Sequence, residues 1–196
     1  VHLFKKLKNW GFHTVEIPIE DPSHTDPRFL KAAAASAGIA IGSICACMGP
    51  GRDLRGSAKD QAAGRKYIMA LIDQAALAGC PRIIGPLYSV VGLIGAHDDK
   101  TKAKHFKLVV KNLKVIGKYA QKKGIELDIE PLNRFETDFL NTCDQGLRLV
   151  KAINLPDGAH AIGIFSADGK PMAAAPSVEI AQALIRQHDL EPASVH

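Results

Sequence analysis

The sequence predicts an α/β fold with a parallel sheet, and three observations carry that prediction. Helix-like and strand-like periodicities alternate along the chain, and the links between them are short. The third observation is the stretch GIELDIEPLNRFETDFLNT from Gly124 to Thr142, in which Ile125, Leu127 and Ile129 alternate with Glu126, Asp128 and Glu130 until Pro131 ends the run. That alternation is a strand's period of two. A proline has no N–H for the ladder and fixes its own φ, so the strand stops at Glu130. Repeated units of this kind favour right-handed crossovers and parallel pairing. Two closures stay open on the pattern, a doubly wound sheet and a barrel.

Each element follows from local signals. Leu3 to Trp10 reads as the end of an amphipathic helix, with Gly11 as its C-cap and a strand from His13 to Ile19 after it. Asp21 to Pro27 is turn-rich. Arg28 to Ala37 is an Ala-rich helix stopped by Gly38, and Ile39 to Cys47 is the next strand. The loop MGPGRDLRG, 48–56, leads to a long helix from Ser57 to Ala78 that ends at Gly79, and Arg82 to Leu87 reads as a strand. Polar residues from His97 to Lys102 precede a helix from about Lys104 to Lys123. On one of its faces lie Phe106, Val109, Val110, Leu113, Ile116 and Ala120; on the other lie lysines at 104, 107, 111, 114, 118 and 122. After the strand Ile125 to Glu130, a helix from Thr142 to Ile153 takes Thr142 or Asn141 as its cap. Ala159 to Phe165 reads as a short strand and Ser177 to Gln187 as a helix, with Glu179 as a capping charge.

Composition narrows the function classes. At 196 residues and 46% hydrophobic, the chain can bury a substantial core as one domain. A net charge of +5 with 6% aromatics offers neither a nucleic-acid groove nor a stacking platform, so the lysine stripe reads as a solvated outer face. Cys45, Cys47, Cys80 and Cys143 have no CxxC spacing, which fits reduced thiols in a cytoplasm. Cys45 and Cys47, on one face of their strand, read as small core residues. No membrane segment is expected, because the apolar stretch from Ala32 to Met48 is broken by Ser36, Gly38, Gly42 and Ser43. There is no GxGxxG turn and no P-loop; Gly49-Pro50-Gly51 has only the beginning of one. The histidines form no HxH or HExxH array.

The carboxyl ends of parallel strands are where ligands bind, which makes Glu130 and the polar loop behind it, with Asn133, Arg134 and Glu136, the candidate site. The alternative is an ordinary strand-end charge beside an Arg134–Glu136 surface pair that contributes little.

The strings GFHTVEIPIEDP at 11–22, MGPGRDLRG at 48–56, GPLYSVVG at 85–92 and above all IEPLNRFETDFLNT at 129–142 resemble the sugar phosphate isomerase/epimerase family, whose fold is a xylose isomerase-like TIM barrel. Within it the resemblance is strongest to the D-tagatose/D-psicose (ketose) 3-epimerases. It implies a (β/α)8 barrel, a free ketose as substrate, and inversion at C3 through an enediolate. It also implies a divalent metal held by two Glu, one Asp and one His, usually manganese or cobalt, with magnesium a further candidate. By motif match Glu130 is the first metal-ligating Glu and a general acid/base, and Glu136 bonds the sugar's terminal hydroxyl. Glu16 falls at a substrate-pocket position, and Tyr88 and Ser89 carry hydroxyls that a sugar can use.

The resemblance covers about residues 1–156. This stretch is expected to be a partial TIM barrel domain, incomplete at its first strand and its last ones, with 157–196 a divergent C-terminal tail. After Pro156 the Asp of the metal set, its His and the second catalytic Glu find no counterpart in DGAHAIGIFSADGKPMAAAP. Two other readings stay open: a hydroxypyruvate isomerase or inosose dehydratase type from the same group, and a non-catalytic or structural fragment. An open sheet with two unpaired edges is also expected to self-associate into a homo-oligomer.

Overall fold

In the computed structural model, residues 2–153, 162–165 and 171–175 are described. The elements run α1 (His2–Asn9), β1 (Thr14–Ile19), α2 (Pro27–Ala37), β2 (Ala40–Ala46), α3 (Ala58–Ala78), β3 (Arg82–Gly85), α4 (Asp99–Lys123), β4 (Glu126–Ile129), α5 (Cys143–Ile153), β5 (Ile162–Phe165) and β6 (Pro171–Ala175). Strands β1 to β4 form one sheet in sequential order, and every pair in it is parallel. β5 and β6 pair with each other, antiparallel, in a separate two-stranded sheet. Of the short strand expected over Ala159 to Phe165, the part Ile162–Phe165 is found as β5 and 159–161 lie outside the described residues; β6 has no counterpart among the expected elements. The helix expected over 177–187, with Glu179, lies outside the described residues.

The helix ends follow the sequence closely because short side chains and glycines satisfy the free backbone groups there. Asp26 caps α2 by accepting from the amides of Arg28 and Phe29. Ser57 and Asp60 form a reciprocal capping box at the start of α3. Gly38, Gly79 and Gly124 close α2, α3 and α4 with φ of 65°, 71° and 67°, a left-handed turn that an L side chain resists. Thr142 Oγ1 accepts from Gln145 N at 3.3 Å ahead of α5.

Most boundaries fall within a residue of the sequence expectation, and two among α1 to α5 and β1 to β4 differ by more. α4 begins at Asp99, not near Lys104, because Asp98 accepts from the Thr101 amide and turns the polar run into a first helical turn. β3 ends at Gly85 and does not reach Leu87; Gly85 has φ 130° and Pro86 cannot donate to the ladder.

The main core lies between the sheet and its helices. Ile44 and Ile83 from the sheet meet Ile68, Leu71 and Ile72 of α3 and Val109 and Ile116 of α4, all with no exposed surface. The lysines of α4 all lie on its exposed face. Gly64 shows how closely α3 approaches the β2–α3 loop: a Cβ there would stand 2.7 Å from Arg52 O and 2.8 Å from Leu54 Cδ2. Gly64→Ala is therefore expected to destabilise the protein by about 1–3 kcal/mol, overpacking outweighing the better helix propensity of alanine. A urea midpoint equal to or above that of the native chain would contradict this.

Candidate active site

β4 carries Leu127 and Ile129 toward the helices, where they pack on the core, and Glu126, Asp128 and Glu130 on the alternate positions. Glu130 lies one residue beyond the strand, yet its amide still donates to Gly85 O at 3.1 Å, so the side chain stands at the carboxyl end as expected. Burial raises its pKa, and the charges of Glu16 and Glu136 raise it further. Three carboxylates predicted separately from sequence are therefore within electrostatic reach of one another.

Glu16 reaches this group from within β1, not from its end, since β1 continues to Ile19. A β-bulge supports it. The register passes from Val15 opposite Ile41 to Glu16 opposite Ser43, which leaves Gly42 as the extra residue in β2. Beyond the bulge Ser43 Oγ donates to Glu16 Oε2 at 2.5 Å. Sequence reasoning missed Ser43, although a glycine inside a strand pattern is the signal of a bulge. Cys45 is half-buried, not a full core residue. Burial, with the charges of Glu16 and Glu130, pushes its thiol up to about 12, so it stays protonated and inert.

Glu136 sits in the β4–α5 loop, half-buried. Asn133 Nδ2 donates to its carboxylate, and its carbonyl accepts from Gly92 N at 2.7 Å. The alternative Arg134–Glu136 surface pair is not what forms: Arg134 lies over the Phe135 ring, 5.1 Å from its centroid. Tyr88 and Ser89 lie under the loop, fully and almost fully buried. Tyr88 donates its hydroxyl to Glu130 O at 2.9 Å, and Ser89 Oγ lies 3.4 Å from Thr137 Oγ1. Both hydroxyls thus serve protein oxygens, and they tie the chain on either side of the glutamates.

A buried ionic group with no local signal in the sequence underlies this loop. Arg55 spans two carboxylates, with Asp53 Oδ2 2.9 Å from its Nη2 and Asp138 Oδ1 against its Nη1. The remaining Asp138 oxygen accepts from Gly95 N at 2.8 Å and lies 3.2 Å from His97 Nε2. Lower in the sheet, Asp128 pairs with Arg82 through Oδ2 at 3.4 Å, while its Oδ1 is buried without a hydrogen-bond partner. Burial raises the Asp128 pKa, and Arg82 offsets part of the rise.

The divalent metal implied by resemblance was tested against these groups. Among the described residues no three His, Cys, Asp or Glu side chains converge as a metal site would require. Glu130 has Glu16 and Glu136 within electrostatic reach, but among the described residues no ligand set surrounds it, so the described residues by themselves do not fit the metal.

Four parallel βα units with Glu130 at the carboxyl end of the last strand are consecutive units of a (β/α) barrel. A family model described as xylose isomerase-like TIM barrel matches residues 4–185, and the chain belongs to that family. It is 27% identical over 172 residues to a protein of Synechocystis sp. described as "Probable ketose 3-epimerase", covering 84% of this chain and 56% of that one. It is 29% identical over 160 residues to the ketose 3-epimerase of Arthrobacter globiformis, covering 80% and 53%. A crystal structure of D-psicose 3-epimerase in the presence of D-fructose superposes with a TM-score of 0.70 at 25% identity, over 80% of this chain and 55% of that one. The chain spans about half the length of the curated relatives it matches.

Proposed function

We propose that this chain carries the C3-reacting half of a ketose 3-epimerase site, with Glu130 as the base and Glu136 and Glu16 as the groups that hold the sugar's hydroxyls. The observation that carries the reading is that Glu16 from within β1 and Glu136 from the β4–α5 loop lie within electrostatic reach of Glu130 at the carboxyl end of β4, with the Glu130 pKa raised. The proton at C3 of a 2-ketose is α to the carbonyl. A carboxylate whose pKa is lifted by burial and like charge is a stronger base for that proton, and such a group contributes roughly 10²- to 10⁴-fold to rate. Asn133 orients Glu136 through the amide that donates to its carboxylate, and Ser43 orients Glu16. Tyr88 and Ser89 act by positioning, since their hydroxyls hold the backbone at Glu130 and the side chain at Thr137.

The substrate class in this reading is a neutral free ketose. A cytoplasmic setting belongs to the same reading; its support is that Cys45, Cys47, Cys80 and Cys143 are all free thiols. Among the described residues no helix is long and apolar enough to cross a membrane. Self-association through β1 and β4 also belongs to it, since each has a single neighbour among the described strands.

The test is incubation of the chain with D-fructose, D-psicose and D-tagatose, with and without Mn2+, Co2+ or Mg2+, followed by chromatography of the sugars. Formation of D-psicose from D-fructose is the expected result. Calorimetric binding of a ketose without turnover would favour the non-catalytic alternative. Turnover of hydroxypyruvate or an inosose, and not of these ketoses, would move the chain to the other isomerase types of the group.

A further inference from the structure

Three loops meet at the carboxyl end of the sheet: 47–57 after β2, 86–98 after β3 and 130–142 after β4. Backbone contacts join them in pairs. Leu54 N donates to Tyr88 O at 3.2 Å, Val91 N to Met48 O at 3.2 Å, and Gly92 N to Glu136 O at 2.7 Å; Leu93 and Thr137 form an isolated parallel bridge. Asp138 makes polar contacts to the other two loops at once. One of its oxygens meets the Arg55 guanidinium, and the other takes the Gly95 amide and faces the His97 imidazole. Arg55 is itself fixed, its Nε and Nη2 on Asp53 and its Cζ 5.8 Å from the centroid of the Phe139 ring. Phe139 in turn packs on Tyr88 at 5.3 Å between centroids. Glu136 lies two residues before Asp138 on the same loop.

We propose that Asp138 is a positioning residue, a latch that fastens the β3–α4 loop to the β4–α5 loop and thereby sets where Glu136 stands relative to Glu130. The consequence for function rests on the sugar-site reading above; the latch itself does not. A carboxylate with donors on both oxygens, one of them from a buried guanidinium held by a second carboxylate, gives the loop one arrangement. Without it the two loops keep the Tyr88–Glu130 and Ser89–Thr137 contacts, the Gly92–Glu136 bond and the Leu93–Thr137 bridge, none of which holds the Gly95–His97 end of the β3–α4 loop, and Glu136 loses part of what fixes it relative to Glu130.

Asp138→Asn in the full chain tests this with two readouts. The first is amide hydrogen exchange, which needs no ligand. Residues 91–97 and 133–139 are expected to exchange at least about tenfold faster while β2 and β3 keep their protection, the signature of local opening. Unchanged exchange in the two loops would overturn the latch. Faster exchange throughout the sheet would also overturn it, making Asp138 a stability residue only. The second readout is calorimetric affinity for D-fructose in a cycle with Glu136→Gln. Asp138→Asn is expected to weaken binding by about tenfold in the native background and by less than twofold in Glu136→Gln, because the latch acts through Glu136. Equal losses in both backgrounds would overturn that coupling. If the native chain binds no D-fructose, the sugar reading falls, and the exchange data alone decide the latch.

Discussion

Glu130→Gln is expected to slow deuterium incorporation at C3 of D-fructose by roughly 10²- to 10⁴-fold while making the protein more stable at pH 7. The two effects share one cause. Burial and the charges of Glu16 and Glu136 raise the Glu130 pKa, so the ionised carboxylate is held where the fold disfavours it. A raised carboxylate pKa means that the folded state binds the proton more tightly than the unfolded chain does. Stability therefore falls as pH climbs from the ordinary value of 4.5 through the folded value, and the cost is absent below that window. Glutamine keeps the shape and removes both the charge and the basicity. The gain in melting temperature is thus expected at pH 7 and expected to vanish near pH 4. NMR of the sugar measures the first effect, and thermal melts at the two pH values measure the second. Undiminished exchange at C3 would remove Glu130 from the chemistry. A lower melting temperature at pH 7 would mean that its carboxylate makes a stabilising contact instead.

Arg55→Met carries the largest expected loss of stability, about 3–5 kcal/mol. The substitution preserves much of the side chain's volume but strands two carboxylates, Asp53 and Asp138, in a nearly closed setting. Burial by itself would raise the Asp138 pKa; hydrogen bonds from Arg55 and Gly95, with the guanidinium charge, hold it below its ordinary 3.8 instead. A depressed pKa contributes stability that is present above 3.8 and lost as pH falls through the lower folded value. The deficit of Arg55→Met is accordingly expected to be full near neutral pH and to shrink under acid, read from urea midpoints at pH 7 and pH 3.5. A deficit below 1 kcal/mol at pH 7 would show that the two carboxylates find other partners.

The network around Arg55 also marks how far the sequence could be read. The string RDLR at 52–55 reads in the sequence only as part of the loop MGPGRDLRG, with no partner named for its charges. Its meaning depends on Asp138, 83 residues later, and on the loop crossing that brings the two together. Ser43 is similar: Gly42 hints at a bulge, but which carboxylate the re-aimed hydroxyl meets is settled by the register of β1 against β2. Tyr88 and Ser89 show the converse. Hydroxyls in a strand-end loop suggest a ligand, whereas packing buries both and turns them onto Glu130 O and Thr137.

Local physics, legible in the chain alone, decides the parallel α/β class, the glycines that close α2, α3 and α4, and the delivery of Glu130 to a strand end by a proline-terminated alternation. Each follows from dihedral limits and periodicity over a few residues. Tertiary structure alone decided that Glu16 joins Glu130 from mid-strand across a bulge, and that Asp138, through Arg55, fixes the loop carrying Glu136. Such pairings join residues far apart in the chain. Their energy comes from burial and charge in the assembled sheet, which no window of sequence contains.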